Sequence, residues 1–260
     1  MESGEIDFAV TAAGGAVVRG VYSRGHSDTV PCVVFAHGLG SDRRGEKATS
    51  IERECRRREW AFAAFDFRGH GASEGRLSDV LGSSLIDDMD SVRAFVSGRT
   101  AGPLFFVGSS MGGWVSAWYA ARNPDRVAAC ALVAPALHFL EWRGLPPEEL
   151  EAWRKSGRRR LRDGFIDAEL GYGLCEEAAS FPVEELERSL RAPLLVFHGM
   201  CDDVVPFVDS VSFLQRCAAE PAELRLFRSG DHRLNSVKEE IARGSCDFFQ
   251  RLVPAGLKAG

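Results

Sequence analysis

The sequence has no long hydrophobic run. Its longest nearly apolar stretch, residues 127–137, is only 11 residues long and contains Pro135, whereas a membrane-spanning helix needs about 20 apolar residues. The first residues carry Glu2, Glu5 and Asp7 but no basic residue, which a signal or transit peptide would require. We therefore expect no membrane span and no targeting segment.

Paired or clustered cysteines are also missing. The seven cysteines are odd in number and scattered along the chain, and none belongs to a CxxC motif or a Cys/His cluster. This pattern is typical of free thiols in a reducing compartment, and it argues against structural zinc. The sequence therefore predicts a cytoplasmic protein, and we expect no metal and no organic cofactor.

The chain has no excess of positive charge. Its 32 lysines and arginines are outnumbered by 37 acidic residues, which gives a net charge of −5. Nucleic acid as the main partner therefore has no electrostatic basis. With 45% hydrophobic and 27% charged residues, the composition is that of a soluble globular protein. A length of 260 residues is near the upper limit for one hydrophobic core.

Short apolar runs alternate with amphipathic stretches along most of the chain. Continuous apolar runs are typical of strands that are buried on both faces, so this alternation predicts an α/β fold whose mostly parallel sheet carries helices on both sides. The predicted strands are residues 32–36, 61–65, 104–107, 128–133, 194–197 and 224–227. Residues 6–10 and 16–22 predict an antiparallel hairpin that turns at Gly14 and Gly15.

One segment departs from this alternation. The predicted helices are residues 44–58, 81–97, 112–121, 207–218 and 237–252, but residues 137–192 are charged, contain Pro146, Pro147 and Pro182, and offer no strand candidate. A connection of about 55 residues is too long for an ordinary loop. We therefore predict a helical cap, or lid, at 137–192. It is inserted into a core made of 1–136 and 193–260 and lies over the carboxyl ends of the strands.

The clearest chemical signal is LFFVGSSMGGW, residues 104–114, which contains G-x-S-x-G as Gly108, Ser110 and Gly112. The motif lies between a predicted strand and a predicted helix. A nucleophilic serine on such a strained turn needs small residues two positions before and after it. The motif therefore favours Ser110 as a nucleophile. The alternative is a turn rich in glycine and serine that only caps a helix.

A second signal is VVFAHGLGSDR, residues 33–43, where a predicted strand runs into a glycine-containing loop. In acyl transfer, one backbone N–H from this early loop and one from the residue after the nucleophile bind the developing oxyanion. The predicted donors are the N–H groups of Leu39 and Met111. The alternative is an ordinary turn at the end of a strand.

A nucleophilic serine needs a general base, and six histidines compete for that role. His232 follows the last predicted strand and precedes the last helix, where a loop could carry it to Ser110, so chain order favours it. His37 and His198 each end a predicted strand and precede glycine, which indicates structural hydrogen bonding. The remaining candidates are His26, His70 and His138.

The base needs a carboxylate to orient it. The predicted next-to-last strand leads into LLVFHGMCDDVVP, which places Asp202 and Asp203 side by side. Either could accept a hydrogen bond from the imidazole, but neighbouring side chains point in different directions, so only one can do so. Asp231, next to His232, is a weaker rival.

Five motifs together resemble the alpha/beta-hydrolases over nearly the whole chain. In the order of that family, the sequence contains a strand followed by HG, then FDFRGHGASEG, GSSMGG, HGMCDDVVP and GDH. The resemblance implies an eight-stranded, mostly parallel sheet. It also implies the order nucleophile, acid, histidine and places the acid on the first aspartate of HGMCDDVVP, which is Asp202.

The FDFRGHGASEG and GSSMGGW segments are similar to those of the branch that contains acylglycerol lipases, serine aminopeptidase-like enzymes and palmitoyl-protein thioesterase-like hydrolases. Serine at the turn, rather than aspartate or cysteine, favours cleavage of esters, thioesters or amides. We therefore expect a serine hydrolase that cleaves a small-molecule acyl ester or thioester through an acyl-enzyme. The alternatives are a peptidase or amidase of the same fold, or a non-catalytic protein that binds a small molecule.

The predicted cap contains a basic run, WRKSGRRRLR, at residues 153–162. This run could attract an anionic substrate, but a charge run more often forms the solvated face of a helix, and we predict such a face. Trp142, Trp153, Phe165 and Tyr172 could line an acyl pocket or attach the cap to the core.

Overall fold

The computed structural model describes residues 4–162 and 166–253. The strands are β1 (Glu5–Thr11), β2 (Val17–Ser23), β3 (Cys32–Ala36), β4 (Ala61–Asp66), β5 (Leu104–Ser109), β6 (Ala129–Val133), β7 (Arg158–Arg162), β8 (Asp167–Gly171), β9 (Leu194–Gly199) and β10 (Ala222–Phe227). Eight of them form one sheet in the order β1-β2-β4-β3-β5-β6-β9-β10, and β7 and β8 form a separate hairpin.

The large sheet is parallel except at one edge. β1 pairs antiparallel with β2, and β2 pairs antiparallel with β4, whereas the pairs from β4 through β10 are all parallel. Every residue of β3, β5 and β6 is buried, because helices cover both faces of these central strands. The predicted α/β fold and the predicted hairpin at the start of the chain are confirmed.

Helices cover both faces of the sheet, and three further helices lie within the described part of residues 137–192. The helices are α1 (Glu46–Arg57), α2 (Gly82–Ser97), α3 (Met111–Arg122), α4 (Pro147–Ser156), α5 (Gly173–Glu176), α6 (Val183–Ser189), α7 (Phe207–Arg216) and α8 (Lys238–Leu252). Helices α1 and α8 pack on one face, and α2, α3 and α7 pack on the other. Within the described residues, no helix combines the length and the apolarity that crossing a bilayer requires.

The prediction that residues 137–192 contain no strand was wrong. Helix α4 ends at Ser156 and is followed by Gly157, whose φ of 72° is a left-handed conformation that glycine adopts without strain. The next residues, Arg158–Arg162, form β7 and pair antiparallel with β8. Exposed and half-buried side chains alternate along β7, and Leu161 contacts the core. The charged residues conceal this two-residue period in the sequence.

The prediction that the basic run at residues 153–162 forms one solvated helix face was therefore wrong. The first residues of this run end α4 and its last five form β7. Each arginine of β7 lies within 4 Å of a carboxylate; the pairs are Arg158 with Glu169, Arg159 with Glu149, Arg160 with Asp167, and Arg162 with Asp167. Exposed pairs of this kind stabilise a fold only slightly, but they offset the positive charge that could attract an anionic substrate.

Aromatic side chains in residues 137–192 pack against each other and against the core. Trp153 is buried and contacts the rings of Trp142 and Tyr172. Phe181 contacts Trp114 of α3. These contacts fit the prediction that the aromatic residues attach this segment to the core, and Phe165 lies outside the described residues.

All seven cysteines are free thiols. Cys32, Cys55, Cys130 and Cys246 are buried, where a thiol behaves as a small hydrophobic side chain. Burial raises the pKa of Cys130 to about 12, and it raises the pKa of Cys175 to about 11, with a further contribution from Glu176. These two thiols therefore stay protonated at neutral pH.

Candidate active site

Ser110 occupies a strained turn between β5 and α3. Its φ of 51° and ψ of −115° lie in a region that non-glycine residues rarely adopt. Its N–H donates to the carbonyl of Val133 over 2.9 Å, and its carbonyl accepts from the N–H groups of Gly113 and Trp114 at 2.9 and 3.1 Å. The turn is therefore held by β6 on one side and by the first turn of α3 on the other.

The two glycines of G-x-S-x-G allow backbone segments to come into contact around this turn. A Cβ atom on Gly112 would lie 2.2 Å from the carbonyl oxygen of Ala36, and one on Gly108 would lie 2.3 Å from the carbonyl oxygen of Gly112. Neither position has room for a side chain. The predicted need for small residues on both sides of Ser110 is therefore a packing requirement of β3, β5 and α3.

His232 lies between Ser110 and Asp202. Its Nε2 is 3.1 Å from Ser110 Oγ, and its Nδ1 is 2.8 Å from Asp202 Oδ2. An ionised carboxylate can only accept, so Nδ1 carries the proton and Nε2 is free to accept the hydroxyl proton of Ser110. The structure thus brings together three side chains that are far apart in the sequence.

Asp202 accepts four hydrogen bonds. Oδ1 accepts the N–H groups of Val204 and Val205 at 2.9 and 2.7 Å, and Oδ2 accepts from His232 and from His198. Burial raises the pKa of Asp202, but the hydrogen bonds from His198, His232 and the Val205 N–H lower it by more. The net result is a pKa well below the usual value for aspartate, so the carboxylate stays ionised.

The rival carboxylates have other surroundings. Asp203 is exposed to solvent. Asp231 Oδ1 accepts the backbone N–H of Leu234 over 2.7 Å, which stabilises the loop that carries His232. The structure therefore pairs Asp202, and not its two rivals, with the imidazole.

His198 also belongs to this site, although the sequence analysis did not identify Asp202 as its hydrogen-bond partner. It is completely buried, and its Nε2 lies 3.1 Å from Asp202 Oδ2 and 3.0 Å from the carbonyl oxygen of Val205. Both are acceptors, so Nε2 carries the proton, and Nδ1 accepts from Ser210 Oγ at 2.8 Å. The predicted structural hydrogen bonding of His198 is confirmed. Its spacing of four residues from Asp202 in HGMCD is the signal that could have identified the partner.

The backbone of the loop after β3 lies against Ser110. A Cβ atom on Gly38 would be 3.3 Å from Ser110 Cβ, and Leu39 is the next residue. Met111 begins α3, and the first N–H groups of a helix have no acceptor within it. Within residues 4–162 and 166–253, the N–H groups of Leu39 and Met111 make no hydrogen bond to the protein. Both are thus available to bind an anion beside Ser110.

His37 joins this loop to the end of β4. Its Nδ1 donates to the carbonyl of Gly38 over 2.8 Å, and its Nε2 accepts the N–H of Phe67 at 3.1 Å. Burial, together with neighbouring His70, lowers the pKa of His37 to about 3, so the ring is neutral. The predicted structural role of His37 is confirmed. Of the other histidines, His26 faces the Glu59 carbonyl and His138 pairs with Glu141.

The β7–β8 hairpin comes close to the loops at the carboxyl ends of β3 and β4. A Cβ atom on Gly40, after β3, would lie 2.7 Å from Ile166 Cγ1. A Cβ atom on Gly171, at the end of β8, would lie 2.0 Å from the carbonyl oxygen of Ser78, in the connection after β4. Gly40 immediately follows Leu39, so the hairpin lies next to the loop that carries the N–H group of Leu39.

Comparison with known proteins identifies the family. Residues 27–160, slightly more than half of the chain, match the family model described as serine aminopeptidase, S33. The chain belongs to this family. The match includes Ser110 and the loop with Leu39, and it ends within the basic run at β7. It confirms the predicted branch of the alpha/beta-hydrolases and the prediction that the chain is a hydrolase.

Two curated relatives and one solved structure extend the comparison. The mouse palmitoyl-protein thioesterase ABHD10, mitochondrial, is 28% identical over 211 residues, which are 78% of this chain and 69% of that protein. A monoacylglycerol lipase from Mycolicibacterium smegmatis is 27% identical over 263 residues, covering 88% of this chain and 91% of the lipase. The structure of mouse alpha/beta hydrolase domain-containing protein 10 superposes with a TM-score of 0.82 at 24% identity, covering 95% and 99% of the two chains.

Proposed function

We propose that this hydrolase cleaves a carboxylic ester or thioester with the triad Ser110, His232 and Asp202. The observation that supports this function is the continuous hydrogen-bonded path from Ser110 Oγ through the imidazole of His232 to Asp202, with distances of 3.1 and 2.8 Å. This arrangement can activate a hydroxyl group that would otherwise be a weak nucleophile.

The proposed reaction has two steps. In the first, Ser110 Oγ attacks the acyl carbonyl carbon and its proton passes to His232 Nε2, while the N–H groups of Leu39 and Met111 bind the oxyanion. The tetrahedral intermediate collapses, and the leaving alcohol or thiol takes the proton from Nε2. In the second step, water gives a proton to His232 Nε2 while its oxygen attacks the acyl carbon. When this second intermediate collapses, Nε2 returns the proton to Ser110 Oγ and the acid is released. Asp202 stabilises the imidazolium in both steps.

The substrate class rests on the relatives and on the surroundings of Ser110. One curated relative is named a palmitoyl-protein thioesterase and another a monoacylglycerol lipase, and both names describe the hydrolysis of an acyl group. We assign residues 137–192 as a cap over a core made of 1–136 and 193–260, because Ile166 contacts Gly40 beside the proposed oxyanion site. A cap in this position would shield the acyl group from water.

The test is a panel of p-nitrophenyl esters and acyl-CoA thioesters of increasing acyl length, assayed with the wild type and with Ser110→Ala. We expect Ser110→Ala to lower turnover by about 10⁴-fold or more, because triad residues act as a unit. Ser109→Ala is the matched control, since it removes the same hydroxyl one residue away, and it should keep activity within a few fold. Full activity of Ser110→Ala would contradict the proposal.

A second candidate is peptide cleavage, which the description of the matching family favours. Amino-acid p-nitroanilides with a free amino group would reveal this activity in the same assay. If neither esters, thioesters nor anilides are turned over, while a fluorophosphonate probe also fails to label Ser110, a non-catalytic binding protein is the remaining candidate.

We further propose that the chain works in the cytoplasm, because all seven of its cysteines are free, as expected in a reducing compartment. The mouse relative is named as mitochondrial, and this proposal gives the two proteins different compartments. Cell fractionation of the tagged full-length protein tests this location.

A further inference from the structure

The first turn of α1 contacts the loop that carries His232. We call residues 228–234, between β10 and the short turn at Asn235–Val237, the histidine loop. The ammonium of Lys47, the second residue of α1, donates a hydrogen bond to the carbonyl oxygen of Arg233 over 2.7 Å. The acceptor belongs to the residue immediately after His232, although Lys47 is 186 positions away in the sequence.

The residue before Lys47 contacts the segment that follows the histidine loop. Glu46 accepts a hydrogen bond from Asn235 Nδ2 at 3.1 Å and forms an ion pair with Lys238. The start of α1 therefore contacts three consecutive parts of the chain after His232. Lys47 is half-buried, so its contact with the backbone is shielded from water more than an exposed pair would be.

The histidine loop is held at its other side by the loop that carries Asp202. The N–H of Cys201 donates to the carbonyl of Gly230 over 2.9 Å, and a Cβ atom on Gly199 would lie 2.3 Å from the same oxygen. His232 thus lies on a short backbone segment that is hydrogen-bonded to other parts of the fold at residue 230 and, through Lys47, at residue 233. The neighbouring Leu234 is buried in the core, and the Lys47 hydrogen bond adds an attachment one residue closer to His232.

We propose that Lys47 is a positioning residue that holds His232 Nε2 within reach of Ser110 Oγ. Lys47 does not contact Ser110 or Asp202; it acts through the backbone of Arg233. The inference rests on the proposed function, since the cost of losing Lys47 is measured as loss of catalysis. An imidazole displaced by about 1 Å can lower turnover by about 100-fold, so a single backbone contact can control the rate.

The test compares Lys47→Met, which keeps the aliphatic part of the side chain but has no donor, with Lys47→Arg, which keeps a charged donor. With the best p-nitrophenyl ester, we expect Lys47→Met to lower kcat by about 10-fold to 100-fold with KM within about two-fold, and Lys47→Arg to restore most of the loss. Lys47→Gln, whose amide ends one atom short, replaces Lys47→Met if that variant does not fold.

The matched control is Arg53→Ala. Arg53 also lies on α1 and also connects this helix to α8, through Glu239 at 3.1 Å, but it does not contact the histidine loop. Equal kcat values for Lys47→Met and Arg53→Ala would overturn the proposal, because the contribution of Lys47 would then be that of any contact between α1 and α8.

A second measurement separates this inference from the proposed function. The ring-proton NMR signals of His232, assigned with His232→Gln, should shift or broaden in Lys47→Met and remain unchanged in Arg53→Ala. This readout does not depend on turnover. If the wild type is inactive on every substrate but the His232 signals respond as described, the proposed function fails and the inference holds. If the wild type is active through Ser110 and neither kcat nor the NMR signals respond to Lys47→Met, the inference alone fails.

Discussion

The imidazole of His198 donates a hydrogen bond to Asp202 Oδ2 over 3.1 Å, and this same oxygen accepts the Nδ1 proton of His232. Two histidines therefore share one carboxylate oxygen. The bond from His198 stabilises the anionic form of Asp202, and it weakens the attraction between this oxygen and His232 because the negative charge is shared between two donors. His198 would thus influence both the position of Asp202 and the strength with which it supports the general base.

This arrangement predicts a specific effect of replacing His198. His198→Phe keeps a ring of similar size but removes the donor, and we expect kcat/KM to fall by about 10-fold because Asp202 loses one of its supports. With one donor fewer, the carboxylate supports the imidazolium more strongly, so the acidic limb of the kcat/KM profile should move to higher pH. His198→Gln retains an N–H donor and should restore part of both effects. An unchanged pH profile in His198→Phe would show that His198 only fills space.

A second prediction concerns the two adjacent aspartates. Asp202→Asn removes the carboxylate that orients His232, and we expect turnover to fall by about 10³-fold to 10⁴-fold. Asp203 is exposed, so Asp203→Asn should stay within about two-fold of the wild type. Steady-state kinetics of both variants on the same ester provide the measurement, and a larger loss in Asp203→Asn would transfer the assignment to that residue.

The lowered pKa of Asp202 also predicts a dependence of stability on pH. Its folded-state pKa lies below the unfolded value of about 3.9, so its stabilising contribution is complete above that value and is lost as the pH falls through the folded-state pKa. Asp202→Asn cannot titrate and should lose less stability than the wild type between about pH 6 and pH 3. Thermal unfolding at a series of pH values measures the difference. Parallel curves for the two proteins would contradict the lowered pKa.

The contact between β3 and α3 predicts that one methyl group added at Gly112 greatly lowers the free energy of unfolding. A Cβ atom on Gly112 would lie 2.2 Å from the Ala36 carbonyl oxygen, so Gly112→Ala should destabilise the protein by about 1–3 kcal/mol or more and disturb the turn at Ser110. Gly144→Ala is the control, because nothing lies within 4 Å of its Cβ position, and it should stay within about 0.5 kcal/mol of the wild type. Denaturant unfolding curves compare the two, and equal stabilities would be inconsistent with the contact.

The burial of Trp153 leads to a prediction about the stability of residues 137–192. The side chain is buried, and its Nε1 donates to the carbonyl of Leu170 over 3.2 Å, which joins α4 to β8. Trp153→Ala should destabilise this segment by about 3–5 kcal/mol, so hydrogen exchange should increase there before it increases in β3 and β5. Glu151→Ala, at a more exposed position of the same helix, should have little effect. Uniform exchange across the whole chain would show that the segment does not unfold separately.

The sequence by itself was sufficient to predict the sheet and its helices. Runs such as Cys32–Ala36 and residues 104–107 are apolar throughout, a pattern that is typical of a strand covered on both faces. The prediction from sequence failed at Arg158–Arg162, where four arginines conceal the two-residue alternation of a strand. Local composition indicated a helix there, whereas pairing with β8 and carboxylate partners on neighbouring elements stabilise a strand.

The G-x-S-x-G motif and chain order also predicted Ser110 and His232 for the candidate site, and the resemblance to the alpha/beta-hydrolases placed the acid on Asp202. The catalytic role of the three residues stays a prediction. Only the tertiary structure decided how they meet. It showed that Asp202, and not Asp203, contacts His232, that His198 shares the same carboxylate, and that Lys47 of α1 contacts the histidine loop. The physical reason is that a motif records the types of residues that a turn needs, whereas a hydrogen bond depends on the direction of a side chain, and that direction is set by segments distant in the sequence.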